Sequence, residues 1–218
     1  MKSKRFFRKH IGLLFILIFF ISGCVDFEEK VQINPDGSGT LMIKVITDPI
    51  FANELKKEKF LEIPGKKVSI ENILEGEKFY HIESVYFKNL RELKMKDETI
   101  KIRVTKKGLI GLGKTEAIFE HSIYIAKNHK TLEEEDALEE MMLIGHYFVY
   151  IVELPGCIHK ADLNINGIKV KPEIRKNKVI WRIPLDLLGE SSRMIFLIKF
   201  RGKFNFPSDI QSTQEFSR

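Results

Sequence analysis

VDFEEKVQI (25–33), NPDGSG (34–39) and TLMIKVIT (40–47) are consecutive, and their reading decides the fold. Both flanks carry Val and Ile, and the second adds Thr40 and Thr47. In the second, Leu41, Ile43 and Val45 alternate with Met42, Lys44 and Ile46, the period of a strand. Between them, Asn34-Pro35 and the run Asp36, Gly37, Ser38, Gly39 form a dense turn signal. The segment predicts a β-hairpin, and the body that follows repeats its character.

Downstream, Asp48-Pro49 offers an N-cap and a proline suited to the first helical position, and Phe51 and Leu55 stack at i, i+4. This predicts a short helix over 49–59, ended by Ile63-Pro64-Gly65. Residues 66–76 read as strand or loop. Strands are predicted at 79–87 (FYHIESVYF), 99–105, 116–127, 147–153, 178–183 and 194–200, with a hairpin over 163–170 turning at Asn166-Gly167. A second helix is predicted from Thr131, where Thr131 and Glu134 fit a capping box, Leu138, Met141 and Met142 share a face, and Gly145 follows as a stop. The fold class expected is α+β: a mostly antiparallel sheet of about eight strands with two helices packed on one face.

Upstream of the hairpin, Lys2, Lys4, Arg5, Arg8 and Lys9 precede an apolar run of 11 residues, Ile11 to Ile21, and then Ser22, Gly23 and Cys24. Eleven helical residues reach only about 16 Å, half a bilayer core, so the pattern reads as an export signal and not as a permanent span. Ile21-Ser22-Gly23-Cys24 resembles the bacterial lipobox. That resemblance implies cleavage between Gly23 and Cys24 and a diacylglycerol joined to the Cys24 thiol. The organisation expected is a signal peptide at 1–23, a folded domain at 24–204 and a polar, frayed tail at 205–218, tethered to the cell membrane on its extracytoplasmic side. The formal charge of +6 also resides in this leader: without its five basic residues, 31 bases face 30 acids. A nucleic-acid partner therefore loses its electrostatic footprint. With 44% apolar and 30% charged residues, the chain is neither disordered nor fibrous.

Several motifs imitate chemistry. Gly108 to Thr115 (GLIGLGKT) matches the phosphate-loop pattern, but Thr115 leads into β-branched sequence where a phosphate loop requires a helix, so the expectation is a turn between strands and no nucleotide. Asn34, Asp36, Ser38 and Gly39 imitate the opening of a calcium loop, yet the closing carboxylate would fall at Val45. The histidines show no paired spacing, so neither metal nor cofactor is expected. Cys157, in Leu154-Pro155-Gly156-Cys157, reads as a buried or turn-adjacent small hydrophobe, with a thiol enzyme using His159 or His146 as the minor alternative. No catalytic residue set emerges, and a non-enzymatic protein is expected.

The lipid-bearing cysteine, the Asp36 to Gly39 turn, the run Phe148 to Gly156 (FVYIVELPG) and Trp181-Arg182-Ile183-Pro184 together resemble the LppM-type lipoprotein domain, a bacterial envelope family of α+β fold without assigned catalysis. The resemblance implies a structural role for the Asp36–Gly39 turn, the Pro155-Gly156 corner and a core Trp181, and a surface module that handles a lipid or glycolipid. The alternative is an assembly lipoprotein that contacts a protein partner through sheet edges and lysine-rich loops.

Overall fold

The structure, a computed structural model, describes residues 26–106, 113–124, 146–165, 167–188, 193–206, 209–211 and 213–215. The leader with Gly23 and Cys24, and the helix expected from Thr131, lie outside these residues. The chain begins with β1 (Asp26–Ile33) and β2 (Gly39–Thr47), then one helical turn, α1 (Ala52–Leu55), before β3 (Ser69–Glu75) and β4 (Lys78–Phe87). It continues with β5 (Lys94–Lys96), β6 (Glu98–Lys106), β7 (Thr115–Tyr124), β8 (Tyr147–Glu153) and β9 (Gly156–Ile165). The last elements are β10 (Ile168–Lys169), β11 (Glu173–Arg175), β12 (Lys178–Pro184), β13 (Arg193–Gly202), β14 (Asp209–Gln211) and β15 (Thr213–Glu215).

These strands form a seven-stranded sheet in the order β11-β12-β8-β1-β2-β4-β3 and a six-stranded sheet in the order β10-β9-β13-β7-β6-β14, with β5 and β15 paired separately. The α+β expectation of one sheet covered by two helices is therefore overturned: the protein is mostly β, and the layer that buries each sheet is the other sheet. The reason lies in the burial pattern. β13 alternates strictly, with Met194, Phe196, Ile198 and Phe200 buried, and β12 buries Val179, Trp181 and Ile183. Two such apolar faces, each larger than a short helix can cover, satisfy one another. They meet in one continuous core, in which Phe196 of one sheet lies 4.0 Å, centroid to centroid, from Tyr150 of the other.

The helix expected at 49–59 shrinks to a 3-10 turn, Pro49–Phe51, and α1. Its start is as read: Asp48 caps it by accepting from the Ile50 N–H at 2.9 Å. Only Phe51 and Leu55 are buried from this stretch, so further turns have nothing to pack and the nucleation cost is not recovered. Past residue 205, expected to fray, β14 pairs with β6 and β15 with β5.

The opening hairpin is as the sequence predicts, with Gln32 opposite Thr40. Asp36 accepts from both the Ser38 N–H (3.0 Å) and the Ser38 hydroxyl (2.7 Å), bonds that hold its carboxyl below the usual range. Its oxygen is engaged within the turn, and Val45 is fully buried, so the calcium-like pattern is a turn device. Gly37 supplies the left-handed conformation (φ 86°), and Gly39 is required for space: a Cβ there would sit 2.1 Å from the Gln32 carbonyl oxygen. The Pro155-Gly156 corner works the same way, since Gly156 faces Gly202 across the sheet and a Cβ on it would lie 2.6 Å from the Arg201 carbonyl oxygen. Residues 108–112 of the phosphate-loop imitation fall outside the described residues, but Thr115 opens a strand antiparallel to β6, not a helix.

Candidate functional site

The inner face of the seven-stranded sheet carries Glu29 in a row with Ile43 on β2, Tyr150 on β8 and Trp181 on β12. On β1 the odd positions Phe27, Glu29, Val31 and Ile33 share a face, so strand alternation forces a carboxylate into the interior. The opposing sheet does the same with His121, which follows Ala117 and Phe119 on the inward face of β7. Glu98, at the start of β6, shares the face of Ile100 and Ile102 but stays partly exposed.

These side chains converge between the sheets. The His121 Nε2 lies 3.3 Å from Glu98 Oε2, and its Nδ1 lies 3.8 Å from Glu29 Oε1 and in hydrogen-bond contact with the Tyr150 hydroxyl. His121 Nε2 approaches Glu98 at ion-pair distance without the alignment of a hydrogen bond, and Glu29 Oε1 is likewise buried without a hydrogen-bond partner. Among the described residues no lysine or arginine reaches either carboxylate within ion-pair distance. Burial, and then the Glu98 charge, push the Glu29 carboxyl well above its usual range; burial, followed by the charges of Glu29 and Glu98, raises the Tyr150 phenol. Tyr150 therefore stays a protonated phenol. One ligand atom each from Glu29, Glu98 and His121 lie within 4.8 Å of one another, the one such grouping among the described residues.

A second buried pair looks similar and is not. On β4, Glu83 accepts from the backbone N–H groups of Phe60 (3.0 Å) and Leu61 (2.7 Å) and meets His81 Nε2 at 3.0 Å, while His81 Nδ1 meets Asn72 at 2.9 Å. Every polar atom of this pair has a partner. It clamps the segment after α1 onto the sheet, and Glu83→Ala should lower hydrogen-exchange protection at the Phe60 and Leu61 amides by about tenfold or more, while the amides of β13 keep theirs.

Between these two groups an apolar cleft of about 270 Å³ is lined by Phe27, Ile43, Phe60, Phe148, Leu185 and Leu188, with Glu28 and Glu29 also on its wall. Of the positions singled out by sequence, Asp36 to Gly39, Pro155 and Gly156 are architectural. Cys157 is not buried but exposed on β9, directly after the corner, and His146 lies beside Asp26. Trp181 is fully buried, as a core tryptophan should be. The Glu29–Glu98–His121–Tyr150 cluster was missed because its members are far apart in sequence. The available signal was an ionisable residue on the apolar parity of a strand.

No known protein family matches the chain, and no curated protein is significantly similar to it. Among solved structures it is similar to the folded domain of LppM from Mycobacterium tuberculosis, determined by NMR, at 13% identity and a TM-score of 0.41, over 84% of this chain and 92% of that one.

Proposed function

We propose that this chain is an exported, lipid-anchored envelope protein whose two-sheet body is a non-catalytic module that binds an amphiphile, a lipid or glycolipid. The observation that carries the reading is Ile21-Ser22-Gly23-Cys24 in register behind a basic segment and an 11-residue apolar run. Two or three acyl chains on Cys24, at about 0.8 kcal/mol per buried CH₂, anchor the body firmly without a spanning helix. The cleft between Phe27, Phe60, Phe148 and Leu188 supplies apolar walls for one chain of an amphiphile. A second reading, an assembly role through a protein partner, is favoured by β3, an edge strand exposed along its whole length and carrying Ile70, Ile73 and Leu74.

Metabolic labelling with palmitate, followed by membrane fractionation and intact-mass analysis, tests the anchor. The wild-type chain is expected in the membrane fraction, labelled and shortened to begin at Cys24. Cys24→Ala should abolish labelling completely and leave the leader attached. An unlabelled wild-type chain defeats the reading. Lipid retained in native mass spectra of the detergent-extracted protein supports the amphiphile; a bare protein that captures an envelope partner through β3 supports the second reading.

A further inference from the structure

We propose that Glu29, Glu98 and His121 bind one divalent transition-metal ion of the zinc or manganese class, held between the two sheets, with Tyr150 as a positioning residue for the imidazole. Two carboxylates and one imidazole are the donor set these ions favour; calcium takes six to eight oxygens, and soft ions take sulfur. The 3.3 Å between His121 Nε2 and Glu98 Oε2 is close to the edge of a tetrahedron about zinc, roughly 3.3–3.4 Å for metal–ligand distances of about 2.0–2.1 Å. Glu29, on the opposite sheet, completes the grouping within 4.8 Å.

Two observations beyond proximity point to a ligand. Glu29 Oε1 and His121 Nε2 are both buried, both without a hydrogen-bond partner, and both belong to this grouping. The Tyr150 hydroxyl engages Nδ1, the outer-sphere partner a metal-bound histidine usually has, and this leaves Nε2 for the ion. His81 and Glu83 provide the internal contrast: the same residue types, equally buried, but with every atom already partnered and no capacity left. Charge agrees, since a divalent cation balances two carboxylates that no lysine or arginine among the described residues reaches. Access exists through partly exposed Glu98 and through the cleft that Glu29 lines. With three protein donors, one position of a tetrahedral ion remains open. None of this depends on the lipid anchor.

The full chain in detergent, stripped with EDTA, is titrated with Zn²⁺, Mn²⁺, Ca²⁺ and Mg²⁺ by calorimetry and by thermal unfolding. Zinc or manganese is expected to bind at one ion per chain, at least about tenfold more tightly than calcium or magnesium, and to raise the Tm. Glu98→Gln, at a partly exposed position that folding tolerates, should weaken binding by about tenfold or more. Glu29→Gln should fold at least as well as wild type yet lose the metal-induced rise in Tm, and His159→Ala, an exposed control, should change neither reading. Absence of zinc and manganese binding, preference for calcium, or binding that survives both carboxylate variants overturns the proposal.

Discussion

Trp181→Ala should lower the unfolding free energy by about 4 kcal/mol, read as a fall in the urea midpoint without a change in slope. Trp181 is fully buried near the middle of β12. Its indole meets Phe196 of the other sheet edge-on at 5.2 Å and lies 6.0 Å from Tyr150, its neighbour on β8. Deleting the indole removes a large apolar surface and opens a cavity where two sheets press together, so neither side can collapse without moving a whole strand. Trp181→Phe is the informative companion. The Trp181 N–H is buried without a hydrogen-bond partner, so phenylalanine loses area but also removes an unsatisfied donor. It should cost less than half as much as alanine. If alanine costs under 1 kcal/mol, the two sheets do not share one core.

The alternation that buries Trp181 was legible from the sequence. The hairpin at 25–47 and the strands at 79–87, 147–153, 178–183 and 194–200 all occur within a few residues of where strand-forming composition and alternation put them. Period two fixes which residues face inward, but not what they face. Nothing local tells one sheet folded over helices from two sheets facing each other, and a capped proline start at Asp48-Pro49 looks alike whether one turn or three follow. The pairing of β1 with β8 is parallel and joins positions more than a hundred residues apart, beyond the reach of any local signal.

The polar cluster was half legible for the same reason. Glu29 in FEEKVQI and His121 in IFEHSIY each interrupt an apolar face at the position that parity sends inward. A search by spacing along the chain passes over them, because the convergence comes from sheet packing. Tyr150 stands opposite Glu29 on β8, and the facing sheet brings His121 and Glu98 up to the pair.

Glu29→Gln, in the presence of a chelator, should stabilise the protein near pH 8, and the gain should disappear at acid pH. The groups facing Glu29 are Glu98 from β6, His121 from β7 and Tyr150 from β8, together with its own strand. Below the ordinary carboxyl value of 4.5, Glu29 is protonated in both folded and unfolded chains, and wild type and variant should match. As pH rises through that value the unfolded chain ionises first, because burial and then the Glu98 charge hold the folded carboxyl in its neutral form. Wild-type stability therefore falls from the ordinary range up to the raised one and then levels off, while glutamine, which cannot ionise, follows no such slope. The other titrating groups are common to both proteins and largely cancel in the difference. A variant less stable than wild type at every pH would mean that Glu29 is a charge balanced by His121, and would remove the argument from an unsatisfied acid. Metal works against the variant. An ion at about a hundred times its Kd stabilises only the protein that binds it, by about 2.7 kcal/mol, so zinc should shrink the variant's advantage at the same pH at which chelation reveals it.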